Sequence, residues 1–185
     1  MQKLKSVAIF GGSFDPLHTG HEEIVNQALK TLHIEKLFIV PTYLNPFKKE
    51  FFAPSELRFE WLKKVFTCEK VEILDFEVKQ QKTVPTIKTI KYIKSIYEID
   101  TIYLIIGADN LTALKNWYCY DELKNIVEFV ITSRDDTVLP KELKKLPINV
   151  KISSSKLRSK MNIAFIPHKI KKEIEEFYNK GKNGK

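Results

Sequence analysis

Two histidines near the start of the chain are the first residues whose types and spacing could do chemistry. They lie in the stretch IFGGSFDPLHTGH, where Gly11 and Gly12 end an apolar run and His18 and His21 follow three residues apart. Imidazole N–H groups can donate hydrogen bonds to phosphate, and imidazoles can also carry protons or bind metal ions. The spacing alone leaves open a phosphate site, a zinc pair and a plain glycine turn.

The segment behind the histidines favours the phosphate site. Apolar residues at helical spacing from Thr19 to Leu32 predict a helix, which places both imidazoles near its N-terminus. Backbone N–H groups and the helix dipole favour an anion there, and they disfavour the imidazolium that a general base would become. Zinc-binding helices usually space histidines four apart with a third ligand elsewhere, and His33 and His168 have no suggestive neighbours.

The stretch ISSSKLR, residues 152–158, is a second candidate. Three serines at the start of a predicted helix supply capping oxygens and hydroxyl donors. Arg158 adds a forked donor of the kind that suits phosphate. An ordinary capped helix with a solvent-facing arginine is the alternative.

The third candidate is LIIGADNLTALKNWYCYDEL, which runs from a buried strand into a helical stretch. Asp109 could cap that helix, or its carboxylate could accept a hydrogen bond from a ribose hydroxyl. Trp117 and Tyr118 could belong to the core, or their rings could stack on a planar heterocycle.

The elements that position these stretches alternate between strand and helix, which predicts a Rossmann-like α/β fold. We expect a doubly wound parallel sheet with helices on both faces. The predicted strands are 6–10, 36–40, 71–78, 101–107, 126–133 and 148–153, and the predicted helices are 19–32, 55–66 with Ser55 as its cap, 86–99, 109–124, 153–160 and 167–178. Ligands of such sheets bind at the carboxyl ends of the strands, so all three stretches should meet at one edge.

Length, charge and cysteine content narrow the class of protein further. With no repeat or linker, we expect a single domain over 1–180 and a disordered tail over 181–185. The net charge of +8 comes mostly from dispersed lysines, which argues against a nucleic-acid-binding face. No apolar run is long enough for a membrane span and no signal peptide is evident, so we expect a cytoplasmic protein. Cys68 and Cys119 are expected to be buried, reduced thiols.

Together, the three stretches resemble the nucleotidyltransferase superfamily whose mark is an HxGH motif. Here that motif is His18-Thr19-Gly20-His21, and residues 152–158 resemble the superfamily's ISSTxxR-like segment. Within the superfamily the chain is most similar to the nicotinate-nucleotide adenylyltransferases, through GGSFDPLHTGH and IGADN followed by the tryptophan and DEL. The resemblance runs from the first strand almost to the end of the chain.

The resemblance implies an enzyme that transfers the adenylyl group of ATP to nicotinate mononucleotide, giving deamido-NAD and pyrophosphate. It implies that Mg²⁺ arrives with ATP, held by phosphates and water rather than by protein ligands, and that His18, His21 and Arg158 are catalytic. The residues implied in ATP binding are Gly11, Gly12, Ser13, Phe14, His18, His21, Gly107, Asp109, Ile152, Ser153, Ser154, Ser155 and Arg158. The residues implied in binding the nicotinate nucleotide are Lys48, Thr86, Trp117, Tyr118 and Arg134.

Two positions depart from the family pattern, and some alternatives stay open. Phe47 replaces a histidine of a PPHK-like loop, and Lys88 replaces the aspartate of a SYTxDT-like segment. One alternative is phosphopantetheine adenylyltransferase, which shares the nucleotide motifs. The other is an enzyme for the amidated mononucleotide, which sequence alone separates poorly from an enzyme for the acid. The sequence also leaves open a homo-oligomer.

Overall fold

The core of the structure is one parallel sheet. The computed structural model describes residues 1–45, 48, 50–133, 143–150 and 152–180. Within them the strands are β1 (Gln2–Gly12), β2 (Lys36–Pro41), β3 (Val71–Ile73), β4 (Tyr97–Gly107), β5 (Glu128–Ser133) and β6 (Lys144–Pro147). All neighbours are parallel, in the order β3-β2-β1-β4-β5-β6. The predicted doubly wound sheet is therefore confirmed.

Helices cover both faces of the sheet, as predicted. They are α1 (Thr19–Thr31), α2 (Ser55–Val65), α3 (Phe76–Gln80), α4 (Thr86–Ile96), α5 (Tyr120–Ile126), α6 (Ser154–Ser159) and α7 (Lys171–Lys180). Alternate residues of β1 separate two cores: Ala8 and Phe10 pack on the side of α1, α2, α6 and α7, whereas Val7 and Ile9 pack on the side of α4 and α5. None of the helices in the described part of the chain is long and apolar enough to cross a membrane.

The order of the strands fixes where a ligand can bind. The chain leaves β1 toward β2 on one side and returns through β4 on the other, which opens a crevice at the carboxyl ends of these two strands. Gly11 and Gly12 end β1, and Gly107 ends β4 beside Thr132 of β5. The glycines that the sequence singled out therefore lie at the mouth of the crevice.

Three predicted elements in the first two thirds of the chain were wrong in detail. The alternating run 71–78 is a strand only as far as Ile73, and its second half forms α3. The helix predicted to end at residue 99 ends at Ile96, because the chain from Tyr97 onward pairs with β1. The stretch 109–124 is a 3-10 segment, Ala108–Asn116, followed by α5, and the left-handed backbone of Cys119 (φ 55°) separates the two.

The last strand was predicted in the wrong place. β6 covers Lys144–Pro147, whereas 148–150 is irregular and residue 151 lies outside the described residues. Ile148 and Ile152 are buried, which explains the misleading apolar pattern. The backbone N–H groups of Asn149 and Val150 donate to the Glu23 carboxylate at 2.9 and 2.8 Å instead of joining a strand ladder.

Two smaller predictions were also wrong. Ser55 is the first helical residue of α2 and Pro54 takes the cap position, so the serine does not cap the helix. Cys68 and Cys119 are unpaired, but both are exposed rather than buried.

Candidate functional site

A cavity of about 410 Å³ opens at the carboxyl ends of β1 and β4. The sequence-predicted residues that line it are Gly11, Gly12, Thr86, Gly107, Trp117 and Tyr118. Residues that the sequence analysis did not single out also line it, among them Thr42, Asn45, Glu77, Thr89 and Asn110. Two of the three predicted stretches, the glycine end of β1 and residues 107–118, therefore meet the start of α4 in this cavity, whereas residues 152–158 do not line it.

The two histidines form one compact unit at the start of α1. His18 occupies the N-cap position and is buried, and its ring stacks on that of His21 with 3.7 Å between the centroids. The His18 backbone N–H donates to His21 Nδ1 at 3.1 Å. Because Nδ1 accepts this bond, a neutral His21 carries its proton on Nε2 and can donate from there.

Gly20 and Phe14 hold the histidines in place. A Cβ at Gly20 would lie 3.0 Å from His18 Nδ1, so any larger residue would push the His18 ring away from this turn. The Phe14 ring is buried and packs edge-on against the His21 ring at 4.9 Å. The Phe14 side chain therefore orients the His21 ring.

The serine cluster is docked against the loop before α1. Ser153 caps α6 by accepting from the Lys156 backbone N–H at 3.3 Å, and the Ser154 hydroxyl donates to the Pro16 carbonyl oxygen at 2.9 Å. Arg158 donates to the Asp15 carbonyl oxygen and, at 3.3 Å, to Ser155 Oγ. Ile152 is buried beneath them. The prediction that this segment lies beside the histidine loop is confirmed.

Lys48 belongs to the cationic side of the site. Its ammonium lies 3.5 Å from Ser13 Oγ, and it is not among the residues that line the large cavity. Partial burial is the largest cause that lowers the pKa of Lys48, and the nearby Arg158 charge is the second. Lys48 was predicted to bind the nicotinate nucleotide, and that assignment stays a prediction; in the structure its ammonium lies beside Ser13.

Asp109 and the aromatic pair occupy the other end of the site. Gly107 is the cap of the 3-10 segment, so the prediction of Asp109 as a cap was wrong. The Asp109 carboxylate folds back over Gly107, where a Cβ would collide with Oδ1. Trp117 packs on the core and also lines the cavity, and Tyr118 is 63% exposed at its rim. The core alternative for the tryptophan is therefore confirmed in part, and stacking on a heterocycle stays a prediction. Arg134 and Phe47 lie outside the described residues.

Sequence reasoning missed two buried charges that shape the phosphate side. Arg58 is 1% exposed and donates to the carbonyl oxygens of Ala53, Ser13, Thr42 and Tyr43 at 2.6–2.9 Å. It thereby ties the β1–α1 loop to the segment between β2 and α2. The only sequence signal was that Arg58 is one of three arginines.

The second missed charge is Asp15. Its carboxylate accepts from the backbone N–H groups of Phe52 and Ala53 at 2.9 and 3.1 Å, and from the hydroxyl of Tyr178. These bonds leave Asp15 poorly suited to bind a metal ion. In the described part of the chain no cluster of three or more acidic, histidine or cysteine side chains is arranged to hold one.

Comparison with known proteins places the chain among nucleotidyltransferases. The family model described as cytidylyltransferase-like matches residues 9–160. The chain is 48% identical over 176 residues to a protein of Sulfurimonas denitrificans named "Probable nicotinate-nucleotide adenylyltransferase", covering 95% of this chain and 96% of the relative. A Campylobacter fetus protein of the same name is 47% identical over 181 residues, covering 97% and 99%.

The fold matches a solved structure as well. Plasmodium falciparum nicotinic acid mononucleotide adenylyltransferase, complexed with NaAD, superimposes with a TM-score of 0.70 at 24% identity, over 95% of this chain and 96% of that one.

Proposed function

This chain belongs to the cytidylyltransferase-like family and, within it, to the nicotinate-nucleotide adenylyltransferases, and we propose that it joins nicotinate mononucleotide to the AMP part of ATP. The products are deamido-NAD and pyrophosphate, so the enzyme serves NAD biosynthesis. One observation carries the proposal: the stacked histidines and the cavity lie side by side at one edge of the sheet. Gly12 lines the cavity, and the Phe14 ring lies between Gly12 and His21. That edge offers anion donors beside a pocket for a flat ring.

The histidine loop suits the phosphates of ATP. His18 and His21 stand at the N-terminus of α1, where an incoming anion meets both imidazole donors and the helix dipole. Arg158, Ser155 and Lys48 supply further donors on the cationic side. In this proposal His18 and His21 stabilise charge at the α-phosphate, and Arg158 with the serines holds the leaving pyrophosphate.

The cavity suits the nicotinate nucleotide. Trp117 offers an aromatic wall, and its buried indole N–H finds no partner among the described residues. Thr86 begins α4, whose cap is Pro85 and whose first turn has no acidic side chain. A helix start without a side-chain cap leaves N–H groups for a carboxylate, which favours the acid over the amide substrate.

The mechanism requires positioning and charge stabilisation rather than a base. The attacking group is already a phosphate anion, so its oxygen forms the new bond to the α-phosphorus while the bond to the pyrophosphate oxygen breaks. The stacked imidazoles of His18 and His21 would act as hydrogen-bond donors to the α-phosphate. Mg²⁺ would come bound to ATP as part of the substrate and neutralise its phosphates.

The test is pyrophosphate release by the purified protein with Mg-ATP. Nicotinate mononucleotide, nicotinamide mononucleotide and phosphopantetheine are offered in parallel, and release should be fastest with the first. His18→Ala and His21→Ala should each lower turnover by roughly 10²–10³. His168→Ala, which removes an exposed histidine from a 3-10 turn, is the matched control and should not change it.

Other results would contradict specific parts of the proposal. Release with phosphopantetheine alone would keep the ATP half and overturn the assignment of the Trp117 cavity. Near-normal turnover by folded His18→Ala and His21→Ala would overturn the role of the histidines. Nucleic-acid binding that weakens steeply with salt would favour a different class of function. A cytoplasmic location fits the two exposed free thiols.

A further inference from the structure

A buried carboxyl group on the wall of the cavity has no place in the reaction described so far. Glu77 lies in α3, is 5% exposed, and lines the cavity together with Thr86 and Thr89. Its Oε1 accepts a hydrogen bond of 2.6 Å from the Thr89 hydroxyl. The glutamate therefore joins α3 to α4 next to the helix start assigned to the nicotinate group.

Among the residues that the structure describes, no cation is placed to neutralise an ionised Glu77. The charged groups on the surrounding elements are engaged elsewhere or exposed. Three lysines form ion pairs: Lys79 of α3 with Asp75 at 2.8 Å, Lys36 of β2 with Glu72 at 2.7 Å and Lys91 of α4 with Glu122 at 2.6 Å. Arg58 of α2 donates to backbone carbonyl oxygens, and Lys88 is exposed. Tyr92 of α4 stacks on Phe76. Burial raises the pKa of Glu77 to about 7, and the Thr89 hydrogen bond lowers it only in part.

An ionised Glu77 and the nicotinate carboxylate would lie in the same cavity and repel each other. Nicotinate carries an ionised carboxylate at neutral pH, whereas nicotinamide carries none. A second carboxylate on the wall of the same cavity of about 410 Å³ would oppose the acid and leave the amide unaffected.

We propose that Glu77 is a specificity-determining residue that must be protonated when the acid mononucleotide binds, so that preference for acid over amide falls as pH rises. This inference rests on the proposed function. At a pH where Glu77 is ionised in the free enzyme, binding of the acid takes up one proton from solvent onto the carboxyl. Binding of the amide takes up none.

The test is the ratio of kcat/KM for nicotinate mononucleotide to kcat/KM for nicotinamide mononucleotide, measured from about pH 6 to pH 8.5 with Mg-ATP saturating. Titration of the substrate phosphate and of the histidines affects both substrates equally and cancels in this ratio. For the unaltered enzyme the ratio should fall about tenfold as pH rises through neutrality. For Glu77→Gln, which keeps the shape and charge of the protonated carboxyl, it should stay at its low-pH value.

Two further variants sharpen the test. Thr89→Val removes the hydrogen bond that favours ionised Glu77, so the fall in the ratio should move to higher pH. Glu60→Gln removes one exposed carboxylate from α2 and should reproduce the unaltered pH profile. Thr89→Val also keeps the proposal testable if Glu77→Gln fails to fold.

Each outcome has one meaning. A flat ratio in the unaltered enzyme, or the same fall in Glu77→Gln, would overturn the role of Glu77 while leaving the adenylyl transfer intact. Pyrophosphate release with neither mononucleotide at any pH would instead contradict the proposed function itself.

Discussion

The buried carboxyl of Glu77 also makes a prediction about folding that is independent of catalysis. Its pKa is raised from 4.5 to about 7 by burial in the native protein. Between these values the unfolded chain loses the proton and the native protein keeps it. Stability must therefore fall as pH rises through this window, and the full cost is present above pH 7.

The magnitude follows from the size of the shift. An increase of about 2.5 pKa units corresponds to about 3 kcal/mol of lost stability above neutrality. About 2.5 kcal/mol of this cost should develop between pH 5 and pH 8. Glu77→Gln removes the titration but keeps an oxygen that can accept the Thr89 hydrogen bond. The variant should therefore become progressively more stable than the unaltered protein as pH rises.

Urea unfolding at several pH values measures this difference in free energy, and thermal unfolding at the same pH values measures the corresponding difference in Tm. The gain in Tm of Glu77→Gln over the unaltered protein should grow by about 5–10 °C between pH 5 and pH 8. Glu60→Gln, with its exposed carboxylate, should show no such growth. A difference between Glu77→Gln and the unaltered protein that is the same at every pH would refute the reasoning, because the carboxyl would then titrate alike in both states.

Three further predictions concern the nucleotide end of the site. Gly107→Ala should displace the Asp109 carboxylate, which is expected to accept a hydrogen bond from the ribose of ATP. The KM for ATP should therefore rise about tenfold with little change in Tm, as measured by ATP titration and thermal melting. An unchanged KM would contradict a contact between Asp109 and the ribose. Tyr178→Phe removes a donor to buried Asp15 and should cost about 1–3 kcal/mol in urea unfolding, whereas a neutral effect would show the bond to be dispensable. In Arg58→Lys the ammonium cannot donate to all four carbonyl oxygens, so the free energy of unfolding should fall by about 3–5 kcal/mol, measured by urea unfolding. A fall below about 1 kcal/mol would mean that water replaces the guanidinium.

The sheet and the place of the site could be predicted from the sequence because both depend on strong local signals. Buried parallel strands such as β4 are nearly continuous apolar runs, and glycines at the strand ends mark the crevice. The histidine pair was recognisable because both residues lie within one helical turn. The sequence of residues 18–21 and 152–158 therefore predicts a phosphate site by itself.

The rest depends on contacts between distant parts of the chain. Glu77 appeared to belong to an alternating strand, and nothing in 71–78 shows that its carboxyl faces a cavity or meets Thr89 twelve residues later. Arg58 and Asp15 have no local pattern at all, because their partners are backbone groups in other loops. The irregular segment 148–150 resembled a strand only because Ile148 and Ile152 are buried, while Glu23 takes its N–H groups.

The bonds around Asp15 join a loop near the start of the sequence to residues that the ribosome adds much later. The hydroxyl of Tyr178 reaches Asp15 across 163 positions, and Arg158 reaches its carbonyl across 143. By contrast, the cavity residues Glu77 and Trp117 lie within the first two thirds of the chain. A ribosome-bound chain can thus assemble the ring pocket early, but the loop after β1 stays without these two bonds until Arg158 and Tyr178 have left the exit tunnel. We therefore expect the phosphate side to become ordered only when α7 packs against this loop.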